Sequence, residues 1–120
     1  MINIMDGPIL VEKPIKIHDL KEIASKRFGD LVKAVVDIKK RIMAIGGEMH
    51  ADEEALLIEH GSTQDDLWGI NIYPGLSREN WIEFDSMINI RPRQNNRSRN
   101  VEDKKIQEEI IKIVDLLISA

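Results

Sequence analysis

The stretch LVKAVVDIKKRIMAIGG, residues 31–47, supports two readings, and the choice sets how many strands the sheet has. β-Branched runs around Val32 to Ile38 and Ile42 to Ile45, parted by the charged corner Lys39-Lys40-Arg41, describe a β-hairpin. Leu31, Val35, Ile38 and Ile42 also fall at the i, i+4, i+7, i+11 spacing of a helix over 31–42. Periodicity alone leaves both open. The hairpin is taken first, with the helix as its competitor.

Outward from this stretch the pattern is clearer. Upstream, IHDLKEIASKRFG places Leu20, Ile23, Ala24 and Phe28 on one helical face, with an Asp19-x-x-Glu22 capping box and Gly29 as a stop, so a helix is expected over 19–28. Before it, ILVEKPIKI is apolar and broken by Pro14, which suits an edge strand or extended arm over residues 1–17. Downstream, DEEALLIEHG opens with acids, ends on His60 and is followed at once by Gly61, the charge order of a short helix from Asp52. DLWGINIYPG and WIEFDSMINIRP then alternate at period two through Trp68, Ile70, Ile72 and through Ile82, Phe84, Ile88, Ile90. Paired antiparallel, one register sets Asn71 across from Glu83 and Trp68 across from Ser86, with the indole N–H meeting the hydroxyl. The odd-numbered face of that pair is polar unless another layer covers it. A last helix over 101–119 carries Ile106, Ile110, Ile113, Val114 and Leu117 in one stripe. The expectation is a single two-layer α+β domain over 1–120: an antiparallel sheet, element order α-β-β-α-β-β-α, with the long C-terminal helix packed on the sheet.

Composition excludes several classes. The 120 residues hold no cysteine, which removes thiol chemistry, zinc-thiolate sites and disulfides and points to the cytoplasm. No run approaches the roughly 18 apolar residues of a membrane span, and the N-terminus lacks a signal peptide's basic start and apolar run, so it is read as mature structure. A net charge of −4 argues against coating nucleic acid by bulk electrostatics but leaves room for a local basic patch.

The strings VKAVVDI, IGGEMHADEE, EHGS, DLWGINIYP, EFDSMINIRP and NNRSRNVED, in this order, resemble a family of small uncharacterised bacterial and archaeal proteins, a domain of unknown function. The resemblance runs from about residue 19 to 118 and implies no activity, cofactor or catalytic residue.

Three places carry chemistry. RPRQNNRSRN, residues 91–100, holds Arg91, Arg93, Arg97, Arg99 and Asn100 near the amino end of the last helix, where guanidinium forks could hold a phosphate, nucleic acid or protein carboxylate. The competing reading pairs these arginines, within the chain or across a homodimer, with the acids of residues 48–66, among them Asp65. In GGEMHADEE, an extended chain would project Glu48, His50 and Asp52 to one side as ligands for a divalent metal, a hydrolase site in outline. The order Glu48, His50, Ser62-x-x-Asp65 resembles the metalloprotease motif of the deubiquitinase type, but Asp52 stands where a second histidine belongs and the interval to Ser62 is wrong. The bland reading makes His50 and Asp52 helix caps. Glu83 and Asp85 are a third candidate, an acid–base pair set against a solvated strand face. Of these, a binding or interaction module using the arginine loop for an anionic partner is preferred, without a cofactor and without a membrane; the metal-dependent hydrolase is the alternative.

Overall fold

The computed structural model describes residues 7–120, so the part of the N-terminal arm over 1–6 lies outside the described residues. The chain enters as strand β1 (Ile9–Val11), passes Pro14 into β2 (Ile15–Lys16), and continues directly into helix α1 (Ile17–Arg27). Residues 31–47 form the hairpin, β3 (Val32–Asp37) and β4 (Ile42–Ile45), with Asp37 opposite Ile42 and Ala34 opposite Ile45.

Asp37 makes the corner. Its Oδ1 accepts the backbone N–H groups of Lys39 and Lys40, both at 2.9 Å, and Arg41 takes a left-handed φ of 61° to close the turn. The second carboxylate oxygen accepts the Ser62 hydroxyl at 2.6 Å, so this fully buried acid is satisfied on both sides. A helix over 31–42 would scatter these partners. It would also expose part of a run in which Val35 and Val36, neighbours on opposite faces of the strand, are both fully buried.

Helix α2 (His50–Glu59) follows, then a 3₁₀ turn (Gln64–Asp66), β5 (Leu67–Ile72), β6 (Ile82–Glu83), two 3₁₀ turns (Met87–Asn89 and Pro92–Gln94), helix α3 (Lys104–Leu117) and β7 (Ile118–Ser119). The open antiparallel sheet has the order β1-β4-β3-β5-β6, with β3 in the middle. A separate parallel pair, β2 with β7, ties the incoming arm to the end of α3.

One sheet face presents Ala34, Val36, Met43, Ile45, Trp68, Ile70 and Ile72 to Leu20 and Ile23 of α1 and to Ile110, Ile113, Val114 and Leu117 of α3. The C-terminal stripe packs on the sheet as its spacing requires. The opposite face carries a smaller cluster, Val35, Ala44 and Leu67 against Leu57 of α2. Helix α2 is thus the layer that covers part of the odd-numbered face.

Element ends differ from the sequence reading for local reasons. Helix α1 starts at Ile17, and the Asp19-x-x-Glu22 box makes no cap: N-cap Lys16 supplies no side-chain bond. Gly29 does stop it, at φ 91° with its N–H on the Ala24 carbonyl. Helix α2 begins at His50, two residues before Asp52, and no side chain caps it at Met49, so neither His50 nor Asp52 serves as an N-cap. Helix α3 begins at Lys104, capped by the Asp103 side chain on the Lys105 N–H at 2.8 Å.

The largest departure is the expected strand over 82–90, which pairs for two residues only. Asn71 lies opposite Glu83 as expected, but the ladder then stops and the chain turns through Met87–Asn89. Asn89 takes over the ladder's work: its Oδ1 accepts the Gly69 N–H at 2.8 Å and its Nδ2 donates to the Gly69 carbonyl at 2.9 Å. A carboxamide offers one donor and one acceptor in a plane, as a strand residue does. Gly69 is required there, since a Cβ would lie 2.5 Å from the Cβ of Ser86. Ser86 therefore lies over β5 on the α2 side, while Trp68 faces α1 and α3. The expected Trp68–Ser86 contact does not form, and the indole nitrogen has no hydrogen-bond partner among the described residues.

Candidate functional site

The arginine loop is a built structure tied inward. Arg91 and Asn96 form a β-bridge around the Pro92–Gln94 turn, with Asn95 left-handed at φ 60°. The buried Asn96 carboxamide donates to the carbonyls of Asn89, Ser98 and Asn100 and accepts the Glu102 N–H. Arg91 is buried, stacks 4.2 Å from the centroid of Trp68, and donates to the carbonyls of Gln64 and Leu67. Arg93 pairs with Asp65 at 2.5 Å, the contact expected of the acidic 48–66 segment. Arg99 instead pairs with Asp85 at 2.6 Å. The Arg97 side chain is exposed and makes no hydrogen bond or ion pair among the described residues. Asn100 contributes its backbone to the Asn96 and Ser98 contacts. Glu102 already accepts the N–H groups of Arg97 and Ser98 and the Ser98 hydroxyl, and these bonds lower its pKa. A carboxylate of this chain thus fills the place where the loop could have held an anion. Trp81 is buried under Arg78, whose guanidinium carbon lies 4.2 Å from the ring centroid, and offers no face for stacking bases.

The metal candidates separate. The extended segment that would have aligned them is absent, because His50 already begins α2. Glu48 pairs with Arg27 at 3.1 Å, His50 Nε2 bonds to the Ile70 carbonyl at 2.7 Å, and Asp52 lies exposed in the first helical turn. Among the described residues no three His, Asp or Glu side chains gather as a metal site.

What the fold does bring together is one member of each candidate group. A half-open cavity of about 190 Å³ lies where α2 stops short of covering β5. Strand β3 contributes Lys33 and β5 contributes Asn71, directly opposite each other in the ladder and so on the same face. The first turn of α2 contributes His50 and Ala51, beside Met49. The segment after β6 contributes Asp85 to Ile88, and the arginine loop contributes Arg99.

Its polar groups are incompletely used. Asn71 is 8% exposed; its Nδ2 donates to Glu83 Oε1 at 2.8 Å and to the Asp85 carbonyl at 3.4 Å. Both are acceptors, which fixes the orientation of the amide and leaves Oδ1 as the acceptor. That oxygen is buried and has no partner among the described residues. Glu83 Oε1 also accepts the Tyr73 hydroxyl at 3.2 Å, so Glu83 anchors Asn71, while Asp85 is held by Arg99.

His50 is the second such group. A carbonyl only accepts, so Nε2 carries the proton toward Ile70 and Nδ1 of the neutral ring is a bare lone pair. Burial lowers the pKa of this histidine, and the Ile70 bond only partly offsets it. Lys33 is the third group: its ammonium lies 5.1 Å from the centroid of Phe28 and forms no ion pair among the described residues. With Lys33 and Arg99 against Asp85, the cavity lining carries one excess positive charge. The uncapped N–H groups of α2 add to it.

Lys33 was not singled out from sequence, and Ser86 was read only as the partner of Trp68. Lys33 had a signal, being the one charged residue inside the apolar run Leu31 to Val36.

The family model described as "Protein of unknown function (DUF5674)" matches residues 9–117, and the chain belongs to that family. No curated protein and no solved structure matches it significantly.

Proposed function

We propose that this member of a family of unknown function binds a small anionic ligand in the cavity between the start of α2 and strands β3 and β5. The observation that carries this reading is the buried Asn71 lining the cavity, whose Oδ1 has no partner among the described residues, beside Lys33, which forms no ion pair among them. An unsatisfied buried acceptor costs about 1–3 kcal/mol, so something that donates a proton belongs there. Water alone would satisfy the oxygen, but it would not call for a lysine without a carboxylate or for a helix start without a cap. An anion answers both. The cavity is smaller than the roughly 300–1,000 Å³ of drug-sized sites, which favours a ligand of few heavy atoms over a nucleotide or peptide. Of the arginine loop, Arg99 reaches this cavity, so the anionic partner expected from sequence is retained while its seat moves.

Propionate titrated into ¹⁵N-labelled protein should shift the backbone amides of His50 and Ala51 in a saturable way, and Lys33→Met should remove most of that response. Saturable shifts confined to residues 93–99 would place the anion on the loop and overturn the cavity. So would the absence of any saturable shift.

A further inference from the structure

The donors of the cavity account for one end of a ligand. Its acceptors describe the other. Asn71 Oδ1 cannot find a proton by flipping the amide, because Nδ2 is held by two acceptors, Glu83 Oε1 and the Asp85 carbonyl. His50 Nδ1 cannot be the donor in a neutral ring whose only proton is committed to the Ile70 carbonyl. Asn71 and His50 both line this small cavity, and neither lone pair meets a donor among the described residues. A ligand hydroxyl has one proton and satisfies one of the two. A nitrogen bearing two or three protons satisfies both.

We infer that the ligand pairs its anionic group with a nitrogen carrying at least two N–H bonds, as in a small amino-acid-like zwitterion or a short carboxylic acid with a terminal amide. This rests on the anion reading above and adds the ligand's second end. The negative group faces Lys33 and the start of α2; the nitrogen donates to Asn71 Oδ1 and His50 Nδ1. Asp85 strengthens the second pole, since only one of its carboxylate oxygens is taken by Arg99. The exposed side chains of Met49 and Met87 border the cavity and suit the short aliphatic stem between the two ends.

The test is a ranking of dissociation constants, read from the amide shifts of His50, Ala51 and Asn71, for propionate, 3-hydroxypropionate, β-alanine and succinamate on the full chain. β-Alanine or succinamate should bind about tenfold or more tighter than propionate, a difference of about 1.4 kcal/mol. The hydroxy acid should fall between them. β-Alanine ahead of succinamate assigns an ammonium, and the reverse order assigns an amide. His50→Phe, at the first residue of α2, should lower the ratio of β-alanine or succinamate to propionate to about that of the hydroxy acid, because Asn71 Oδ1 remains as the single acceptor. Asn71→Leu should do the same if it folds, and the histidine variant decides the matter if it does not. Propionate binding as tightly as both nitrogen-bearing probes would overturn the inference and leave the anion site standing. Failure of propionate itself to bind would overturn both.

Discussion

Asn89→Ala should destabilise the protein far more than an average polar-to-alanine change. The Asn89 side chain is fully buried and makes three hydrogen bonds: from the Gly69 N–H at 2.8 Å, to the Gly69 carbonyl at 2.9 Å, and to the Arg99 carbonyl at 3.0 Å. Alanine leaves the two Gly69 groups, in the middle of a buried strand, with neither ladder nor water. Each such group costs about 1–3 kcal/mol, so the two together cost about 2–6 kcal/mol, while the Arg99 carbonyl at the protein's edge is partly rescued by solvent. Against a total stability of about 5–15 kcal/mol this is a large share. The midpoint of thermal unfolding should fall by about 8–24 °C, taking about 4 °C per kcal/mol for a chain of this length. Urea unfolding followed by circular dichroism should show a lower midpoint with an unchanged slope. Asn89→Asp keeps the acceptor but turns the donor into a second oxygen facing the Gly69 carbonyl, so it should not rescue. A loss under about 1 kcal/mol for Asn89→Ala would refute the role of its side chain as a substitute strand.

Within the arginine loop, Arg91→Lys should cost about 2–4 kcal/mol, because an ammonium cannot stack on Trp68 while donating to two carbonyls; Arg93→Ala should stay within about 1 kcal/mol and Arg97→Ala within about 0.5 kcal/mol in the same urea assay. Glu53 is buried, which raises its pKa well above the ordinary carboxylate range, and one of its oxygens has no partner among the described residues. The folded state therefore holds a proton that the unfolded chain releases above about pH 4.3, and stability falls as pH rises from there toward the folded pKa. Glu53→Gln should remove that decline, so its stability advantage over the parent should grow across this window; a constant difference from pH 4 to 8 would contradict a neutral buried carboxyl. Long-range ¹H–¹⁵N spectra of the His50 ring should show the Nε2–H tautomer at neutral pH and titration below the ordinary histidine range, and an Nδ1–H tautomer would contradict the Ile70 bond.

Much of the fold was legible because burial repeats with the geometry of each element. The α3 stripe was visible at 3.6-residue spacing and β5 at period two, and the charged corner Lys39-Lys40-Arg41 marked a turn whose backbone the Asp37 carboxylate organises. The strand over 82–90 misled for a physical reason. Alternation records which residues face inward, and Asn89 meets β5 with a side chain where a backbone would have served, so the pattern survives without the ladder. The His50 start of α2 was hidden because no capping side chain marks it. The site was legible only in parts. His50, Asp85 and Arg99 were each singled out, in three unrelated hypotheses, and nothing in their separation along the chain says that they line one cavity. That follows from the β3–β5 register, which sets Lys33 beside Asn71, and from where α2 begins.

The most direct test of the cavity as a ligand site is a high-resolution crystal structure of the protein grown with β-alanine or succinamate. The account predicts density for the probe with its carboxylate against Lys33 and the His50 and Ala51 amides, and its nitrogen within hydrogen-bond distance of Asn71 Oδ1. Ordered water alone at Asn71, with Lys33 turned toward solvent and the probe absent or bound elsewhere, would contradict it.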